Sequence, residues 1–367
     1  MNSKPIMRKL VFYNSVGVST FWKKNINNIR NYGFIVDVVS NHTTNKQSGM
    51  LCSIKRRWHM YPGFLIKIIT NIYRHPDVNI VTTNPFFAPF FVMLFSRKKT
   101  KTINLIYDLY PEALIVAGII KRNSLIAKII RFLFYSSLKK ADATVFLGER
   151  IKSYAEGKYS IATKSYVIPV GSDGMPFSTN PPEKLSKGER IEILYSGNMG
   201  HCHEVSTLVS FLTSYCQPSM NITFHSQGIN YERFKKNEFP ENVFLNGPLG
   251  SSEWEAKMLK SQVAIITIKP GAEHVVMPSK VYSAMLAGQA IIAICPIQSD
   301  LADLVTLHNC GWVVIPGNVK MLESIINKIN SDHHLLHLTR KNSYNAGHLY
   351  YDMSKISSKW KLLFNNL

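Results

Sequence analysis

Two short stretches combine glycine or proline punctuation with basic residues in a way that suits phosphate. The first is PSKVYSAMLAGQAIIAI, Pro278–Ile294. Proline is favoured at the first position of a helix, where its missing N–H costs nothing. The amides that follow, from Ser279 onward, have no acceptor inside a helix. Such a helix start carries partial positive charge and receives anions, and Lys280 adds a full charge. Ala284, Ala287 and Gly288 would let the helix lie close to a sheet. The second stretch is YSGNMGHCHE, Tyr195–Glu204. Gly197 and Gly200 allow a tight turn and a close backbone approach to a ligand, and His201 and His203 stand beside the expected helix start. Either stretch alone also fits an ordinary strand–helix turn. Two of them at strand ends in one half of the chain suggest a cradle for a diphosphate.

The chain contains no Asp-x-Asp, the carboxylate pairing that commonly clamps a divalent ion onto a diphosphate. The histidines at 201 and 203, and at 333, 334 and 337, are not spaced with cysteines or acids as a zinc site requires. No metal and no cofactor is therefore expected. Asp108 ends an apolar run just before Leu-Tyr-Pro, where it either caps a turn or faces a ligand. Glu112 either favours a helix start or does the same.

The elements that must carry these residues follow from periodicity. Strand candidates in the first half are 9–14, 34–40, 79–83, 103–108, 143–148 and 165–170, with helical stretches such as 20–31, 86–95 and 119–140 between them. Residues 174–189 hold three prolines, two glycines and mixed charge, the composition of a linker. The alternation then restarts, with strands expected at 192–197, 221–226, 243–248, 263–268, 290–295 and 311–316. Helices are expected near 203–215, 251–260, 279–287, 318–330 and 352–366. Alternating βαβ units predict parallel sheets covered on both faces. The expected architecture is α/β: two doubly wound Rossmann-like domains facing each other across a cleft, with ligands beyond the carboxyl ends of the strands. The boundaries read as an N-terminal domain over 1–175, a linker over 176–190, a C-terminal domain over 191–350 and a final helix over 351–367 returning to the first domain.

The 367 residues are 46% hydrophobic and 18% charged, enough for sizeable cores and outside the disordered class. The formal charge of +20 is unevenly shared. Residues 1–180 carry 26 Lys and Arg against 8 Asp and Glu, a net +18; residues 181–367 carry 17 against 15, a net +2. A basic first half is expected to meet something anionic: a membrane surface, nucleic acid or phosphorylated substrates. Three segments there mix basic and large apolar residues: 55–74, 86–101 and 119–140. A basic amphipathic surface can sit at the headgroup layer. For 119–140 the apolar side is expected to pack inward, which leaves 55–74 as the expected surface patch. The run LVFYNSVGV after Arg8 and Lys9 reads as a first strand and not as a signal peptide. The most apolar segment, 85–95, is far shorter than the ~20 residues of a membrane-spanning helix. The five cysteines, Cys52, Cys202, Cys216, Cys295 and Cys310, form no CxxC pair and fit free thiols in a reducing compartment.

The motifs occur in an order that resembles a known family. SGNMG at 196–200, PSKVYSAMLAGQAIIA at 278–293 and SDLADLVTLHNCGWVVIPGN at 299–318 are similar to the C-terminal domain of family 4 retaining glycosyltransferases of the GT-B fold. IYDLYPEAL at 106–114 and the run ADATVFLGERI…YVIPVGSD at 141–173 resemble the subgroup that builds bacterial surface polysaccharides, O-antigen or capsule. The resemblance covers about residues 8–365. It implies transfer of a sugar from a nucleotide donor to a hydroxyl with retention at the anomeric carbon, and it implies no metal. On that resemblance Gly197, Asn198, Gly200, His201, Glu273, Ser279, Lys280 and Ser283 lie on the donor side. Asp108 and Glu112 stand near the reacting carbons as catalytic candidates, and Gly17 and Tyr107 lie on the acceptor side. The chain departs from the family where two glutamates eight residues apart are usual, since Val275 and Ser283 occupy those positions. Tyr107 stands where a histidine is usual, and the glycine pair of the first loop is reduced to Gly17.

The expected partners are a nucleotide-sugar donor, a polyprenyl-diphosphate-linked glycan acceptor and an anionic membrane, with no nucleic acid. The expected location is peripheral, on the cytoplasmic face of the plasma membrane. Two alternatives compete. A nucleotide-sugar epimerase can share the fold but gains nothing from a basic first domain. A nucleic-acid-binding protein is suggested by charge alone, without an RNP, KH or zinc-finger signature.

Overall fold

The computed structural model describes residues 8–14, 20–40, 60–72, 75–161, 164–179, 181–186, 188–214 and 219–367. They form two compact units. One comprises the described residues up to Pro169 together with Met353–Leu367; the other is Val170–Asp352.

The first unit is built on β1 (Lys9–Tyr13), β2 (Ile35–Val39), β3 (Val78–Thr82), β4 (Lys101–Leu105), β5 (Ala143–Phe146) and β6 (Lys164–Val167). They form one parallel sheet in the order β2-β1-β3-β4-β5-β6. Strands buried on both faces read as continuous apolar runs, and β3, VNIVT, is buried at all five positions. Its core joins Val11, Tyr13 and Val81 to Phe64 and Ile68 of the helix Met60–Ile72 and to Val92 of the helix Ala88–Phe95.

The second unit carries β7 (Ile191–Asn198), β8 (Met220–Gln227), β9 (Val243–Asn246), β10 (Val263–Thr267), β11 (Ala290–Ile294) and β12 (Gly311–Val314). The order is β12-β11-β10-β7-β8-β9, again all parallel. This is the dinucleotide-fold order, with its reversal between β7 and β10. The first sheet reverses between β1 and β3, the flavodoxin-like variant of the same winding.

Several boundaries differ from those expected. The helix expected over 119–140 starts later, at Leu125. A short helix, Glu112–Val116, ends before Gly118 at φ +72°, and the next helix, Leu125–Lys140, follows its cap residue Ser124. The Ser124 hydroxyl accepts the Ala127 N–H at 3.2 Å, the usual N-cap bond. That helix is apolar on two faces: Ala127, Ile130, Phe134 and Leu138 are buried, while Leu125, Ile126, Ile129 and Phe132 are exposed. The inward packing expected of 119–140 therefore holds for one face alone. Of the patch expected at 55–74, residues 55–59, 73 and 74 lie outside the described residues. The helix Met60–Ile72 turns Phe64, Ile68 and Ile72 inward and exposes Ile66.

The Pro-rich segment read as a linker is held by the second unit. Phe177 is buried there against Trp254, Tyr344 donates to the Ser178 carbonyl at 2.9 Å and Arg340 to the Glu183 carbonyl at 2.7 Å. Contacts made by the residues between the prolines outweigh the flexible composition. The helix Met353–Asn365 packs in the first unit on the helix Thr20–Asn31, with Trp360 edge-on to Trp22 at 5.8 Å and Ser357 donating to Asn25 at 2.8 Å. Three further helices, Ile229–Phe234, Asp300–Leu307 and His333–Ala346, were not expected from periodicity. Among the described residues Cys202, Cys295 and Cys310 form no disulfide. Among the described residues no helix is long and apolar enough to cross a membrane.

Candidate active site

In an open parallel sheet, ligands gather beyond the carboxyl ends of the strands where their order reverses. In the second unit the two stretches expected to cradle a diphosphate both leave from that reversal: residues 197–203 from β7, and 268–280 from β10. The Lys269 N–H donates to the Cys202 carbonyl at 3.0 Å and ties the two stretches together.

Lys280 opens the helix Lys280–Leu286 and reaches back over β7. Its ammonium donates to the Asn198 carbonyl at 3.3 Å and lies 4.0 Å above the centre of the Tyr195 ring. The ring is fully buried and stacks on Phe224. A cation over an aromatic face is favoured, but neither partner carries charge. Among the described residues no carboxylate pairs with Lys280. Burial consequently lowers its pKa to about 7. An arriving anion would supply the missing charge.

His203 supports this seat. Its Nδ1 lies 3.1 Å from the Thr267 carbonyl and 3.3 Å from the Tyr195 hydroxyl. A carbonyl only accepts, so Nδ1 carries the proton. Burial first, and the charge of Lys280 second, push its pKa down to about 3, which keeps the ring neutral. His201 is also held below its ordinary value, by burial and then by Lys269 and Arg233, and its Nε2 is enclosed without a hydrogen bond.

Glycines shape the turn after β7. Gly197, at φ +101°, lets the chain leave the strand in a left-handed conformation. Gly200 and Gly228 make room for Asn198: a methyl at Gly200 would come 2.9 Å from its Nδ2, and one at Gly228 would come 2.4 Å from its Oδ1. Below the turn is a cavity of about 170 Å³, lined among others by Ser196, Gly197, Trp254, Lys280, Ser283 and Gln289. Pockets for whole ligands run to roughly 300–1,000 Å³, so this one suits a single group of a ligand. Trp254 closes it by donating its Nε1–H to Ser196 at 3.0 Å. Ser283, at the position where the family has a glutamate, faces Ser172, with the two hydroxyl oxygens 2.9 Å apart.

The helix start differs from the expected one. Pro278 precedes the cap position, which Ser279 occupies at φ −58° and ψ −22° without a side-chain cap bond. The first turn closes through Val281 N–H to the Pro278 carbonyl and Tyr282 N–H to the Ser279 carbonyl, both at 3.2 Å. The amides of Ser279 and Lys280 lie ahead of that turn. With only 7 residues in the helix, the lysine carries more of the local charge than the helix dipole. Glu273, in the loop between β10 and this helix, holds its Oε2 enclosed and without a hydrogen bond. Glu204 serves the fold instead, since its carboxylate accepts the Thr207 N–H at 2.8 Å and the Thr207 hydroxyl at 2.9 Å.

In the first unit Tyr107 and Asp108 follow β4, beside the sheet reversal. Both of their N–H groups are directed at the Thr83 hydroxyl, at 3.1 and 3.4 Å. The Tyr107 hydroxyl accepts the Trp22 indole N–H. Burial raises the Asp108 carboxyl to about 6. Glu112 is placed differently. It is buried, pairs with Lys158 at 2.6 Å and accepts the Tyr159 hydroxyl at 2.9 Å. Its carboxylate is therefore held by the helix Glu149–Tyr159. Gly17 lies outside the described residues. Among the described residues no cluster of histidines, cysteines or acids could hold a metal ion. The roles of Tyr195, Trp254 and Ser172 were not legible in the sequence, because each acts through a partner distant along the chain.

No family model matches the chain. Its sequence is 25% identical over 285 residues to WbjE of Pseudomonas aeruginosa, described as a probable glycosyltransferase, covering 74% of this chain and 70% of that protein. Its structure is similar to that of sucrose-phosphate synthase from Thermosynechococcus elongatus, with a TM-score of 0.75, 14% identity and 98% of both chains covered. It is also similar to HepE of Anabaena, solved in complex with UDP, with a TM-score of 0.70, 12% identity, and 98% of this chain and 100% of that one covered. The chain thus has the two-domain fold of the GT-B glycosyltransferases, and its sequence is similar to that of a probable glycosyltransferase, in keeping with its resemblance to family 4.

Proposed function

We propose that the protein transfers a sugar from a nucleotide-diphosphate donor to a hydroxyl of a lipid-linked glycan, with retention and without a metal ion, during assembly of a bacterial surface polysaccharide. The observation that carries this reading is Lys280: a half-buried lysine with no carboxylate partner among the described residues, at the reversal of a dinucleotide-type sheet. The bond from the anomeric carbon to the diphosphate oxygen breaks as the bond to the acceptor oxygen forms, and the acceptor's hydroxyl proton passes to an oxygen of the departing diphosphate. Charge grows on the leaving diphosphate, and Lys280 with the amides near Gly197, Asn198, Gly200 and Ser279 would stabilise it there. HepE, solved with UDP, supports a nucleotide donor. Ser283, with Ser172, takes the place of a carboxylate near the ribose, and Glu273 and His201 border the same loop pair. Asp108 serves the acceptor side with Tyr107, and Glu112 acts through its ion pair to hold that segment. The basic first half attaches peripherally to the cytoplasmic face of the membrane, where a polyprenyl-diphosphate acceptor would be presented.

Thermal unfolding with UDP, GDP, TDP and CMP in EDTA, on the wild type and on Lys280→Ala, tests the donor site. A ligand at ~100 times its Kd adds about 2.7 kcal/mol to stability. One nucleotide should raise the transition in EDTA and do so less in the variant. No shift with any of them would remove the diphosphate assignment.

A further inference from the structure

We propose that the outward face of the helix Leu125–Lys140 is the part of the protein that docks on the bilayer, and that the basic hollow beside it receives the phosphate headgroup of an anionic phospholipid. The proposal rests on the membrane part of the function proposed above and names the surface responsible.

Leu125, Ile129 and Phe132 recur at i, i+4 and i+7, which aligns them on one stripe of a helix. They are 72%, 51% and 63% exposed, and Ile126 beside them is 58% exposed. The opposite stripe, Ala127, Ile130, Phe134 and Leu138, already fills the core. The outer stripe is therefore not needed to hold the helix in place. The adjoining helix, Ala88–Phe95, packs against this one and adds exposed Leu94 and Phe95. A contiguous exposed apolar patch marks an interaction surface.

Charge identifies the partner. Between Ala113 and Ala141 the sequence has Lys121, Arg122, Lys128, Arg131, Lys139 and Lys140 and no acidic residue. Arg97, Lys98 and Lys99 follow the neighbouring helix. Aliphatic and aromatic side chains framed by cations match a surface with an apolar interior and an anionic skin. A duplex or single strand offers the charge without the apolar layer.

The hollow lies along the flank of the stripe. It encloses about 550 Å³ and is lined by Lys128, Arg131, Tyr135, Lys158, Tyr159 and Ser160, with Phe132 at its edge. Lys158 is balanced by Glu112 at 2.6 Å. No carboxylate among the described residues pairs with Lys128 or Arg131, so those two are left for a phosphate.

The test is cosedimentation of the full chain with vesicles of phosphatidylcholine alone, or of phosphatidylcholine mixed with phosphatidylglycerol. Wild type should prefer the anionic vesicles. Lys128→Ala with Arg131→Ala should weaken that binding about 25-fold, at about fivefold per charge near the surface. Lys139→Ala with Lys140→Ala, which removes equal charge outside the hollow, should weaken it less. Ile129→Glu with Phe132→Glu should abolish it, and Ile66→Glu, on another exposed apolar site, should leave it unchanged. Every variant should keep the wild-type unfolding temperature and nucleotide shift. Equal loss from the two charge pairs would overturn the headgroup site. Wild-type binding by the stripe variant would overturn the docking surface while the membrane reading stands. A wild type indifferent to phosphatidylglycerol, or one that loses it to an oligonucleotide through the same residues, would overturn both.

Discussion

Among the described residues Lys280 meets a carbonyl and a ring face and no carboxylate, so its charge costs the unliganded fold free energy. Its folded pKa of about 7 lies below the unfolded value of 10.5. The contribution to stability is thus present above the unfolded value and is lost as the pH falls through 7. Lys280→Met should raise the neutral-pH transition by about 2–4 °C, on the order of 1 kcal/mol after discounting for solvent contact, and should reduce the nucleotide shift. Calorimetry of nucleotide binding at pH 8 in buffers of different ionisation enthalpy should show proton uptake by wild type and none by the variant. Asp108 has the opposite sign. Its carboxyl rises from 3.8 to about 6, so its contribution is present below the unfolded value and is lost as the pH rises through 6. Asp108→Asn should be more stable than wild type at pH 7 by about 1–3 kcal/mol, with the difference closing below pH 4. Its transfer rate should fall by about 10²-fold, the order of loss that a misplaced acceptor gives. Unchanged transfer would return Asp108 to the role of a turn residue.

At the scale of elements, the C-terminal helix contributes directly to the first unit's stability. Trp360 is 2% exposed and meets Trp22 and Phe364, and the Arg8 guanidinium donates to the Phe364 carbonyl at 2.6 Å. Trp360→Ala should cost about 3–5 kcal/mol. Denaturant unfolding should show the loss in the first unit, while the nucleotide shift of the second remains. The helices Lys280–Leu286 and Leu125–Lys140 have other roles. One is short and carries a lysine at its start; the other is long enough to bury one stripe and expose a second. Gly288 and Gly118, both in left-handed conformation, end the helices that precede β11 and Leu125–Lys140 respectively.

For the whole molecule, the unequal sharing of charge separates two kinds of binding. Of the net +18 of residues 1–180, Arg97, Lys98, Lys99, Lys121, Arg122 and Lys128 act from exposed positions, where screening shortens the reach from ~10 Å at 0.1 M salt to ~3 Å at 1 M. Lys280 acts from a half-buried seat. Binding to anionic vesicles should therefore fall steeply with added salt, and the thermal shift given by the nucleotide should fall much less. Measuring both on one preparation checks the division; parallel losses would place both events on exposed charge.

All twelve strands lie within three residues of their expected ends, because each is an apolar-rich run between polar turns, and in β3, β10 and β11 burial at every position leaves little other choice. The βαβ alternation, the glycine turn after β7 and the lysine at 280 were legible for the same local reason. The order of strands within each sheet was not, since it depends on which strands pair across the chain. Nor could sequence show that Ser172 meets Ser283, that Trp254 closes a cavity on Ser196, or that Glu112 is committed to Lys158 and Tyr159. Each of those pairs joins residues 46 or more positions apart. Periodicity tells which residues prefer to leave water; it does not tell which of two apolar stripes finds the core. On Leu125–Lys140 only the packed structure decided that, and it left one stripe facing out.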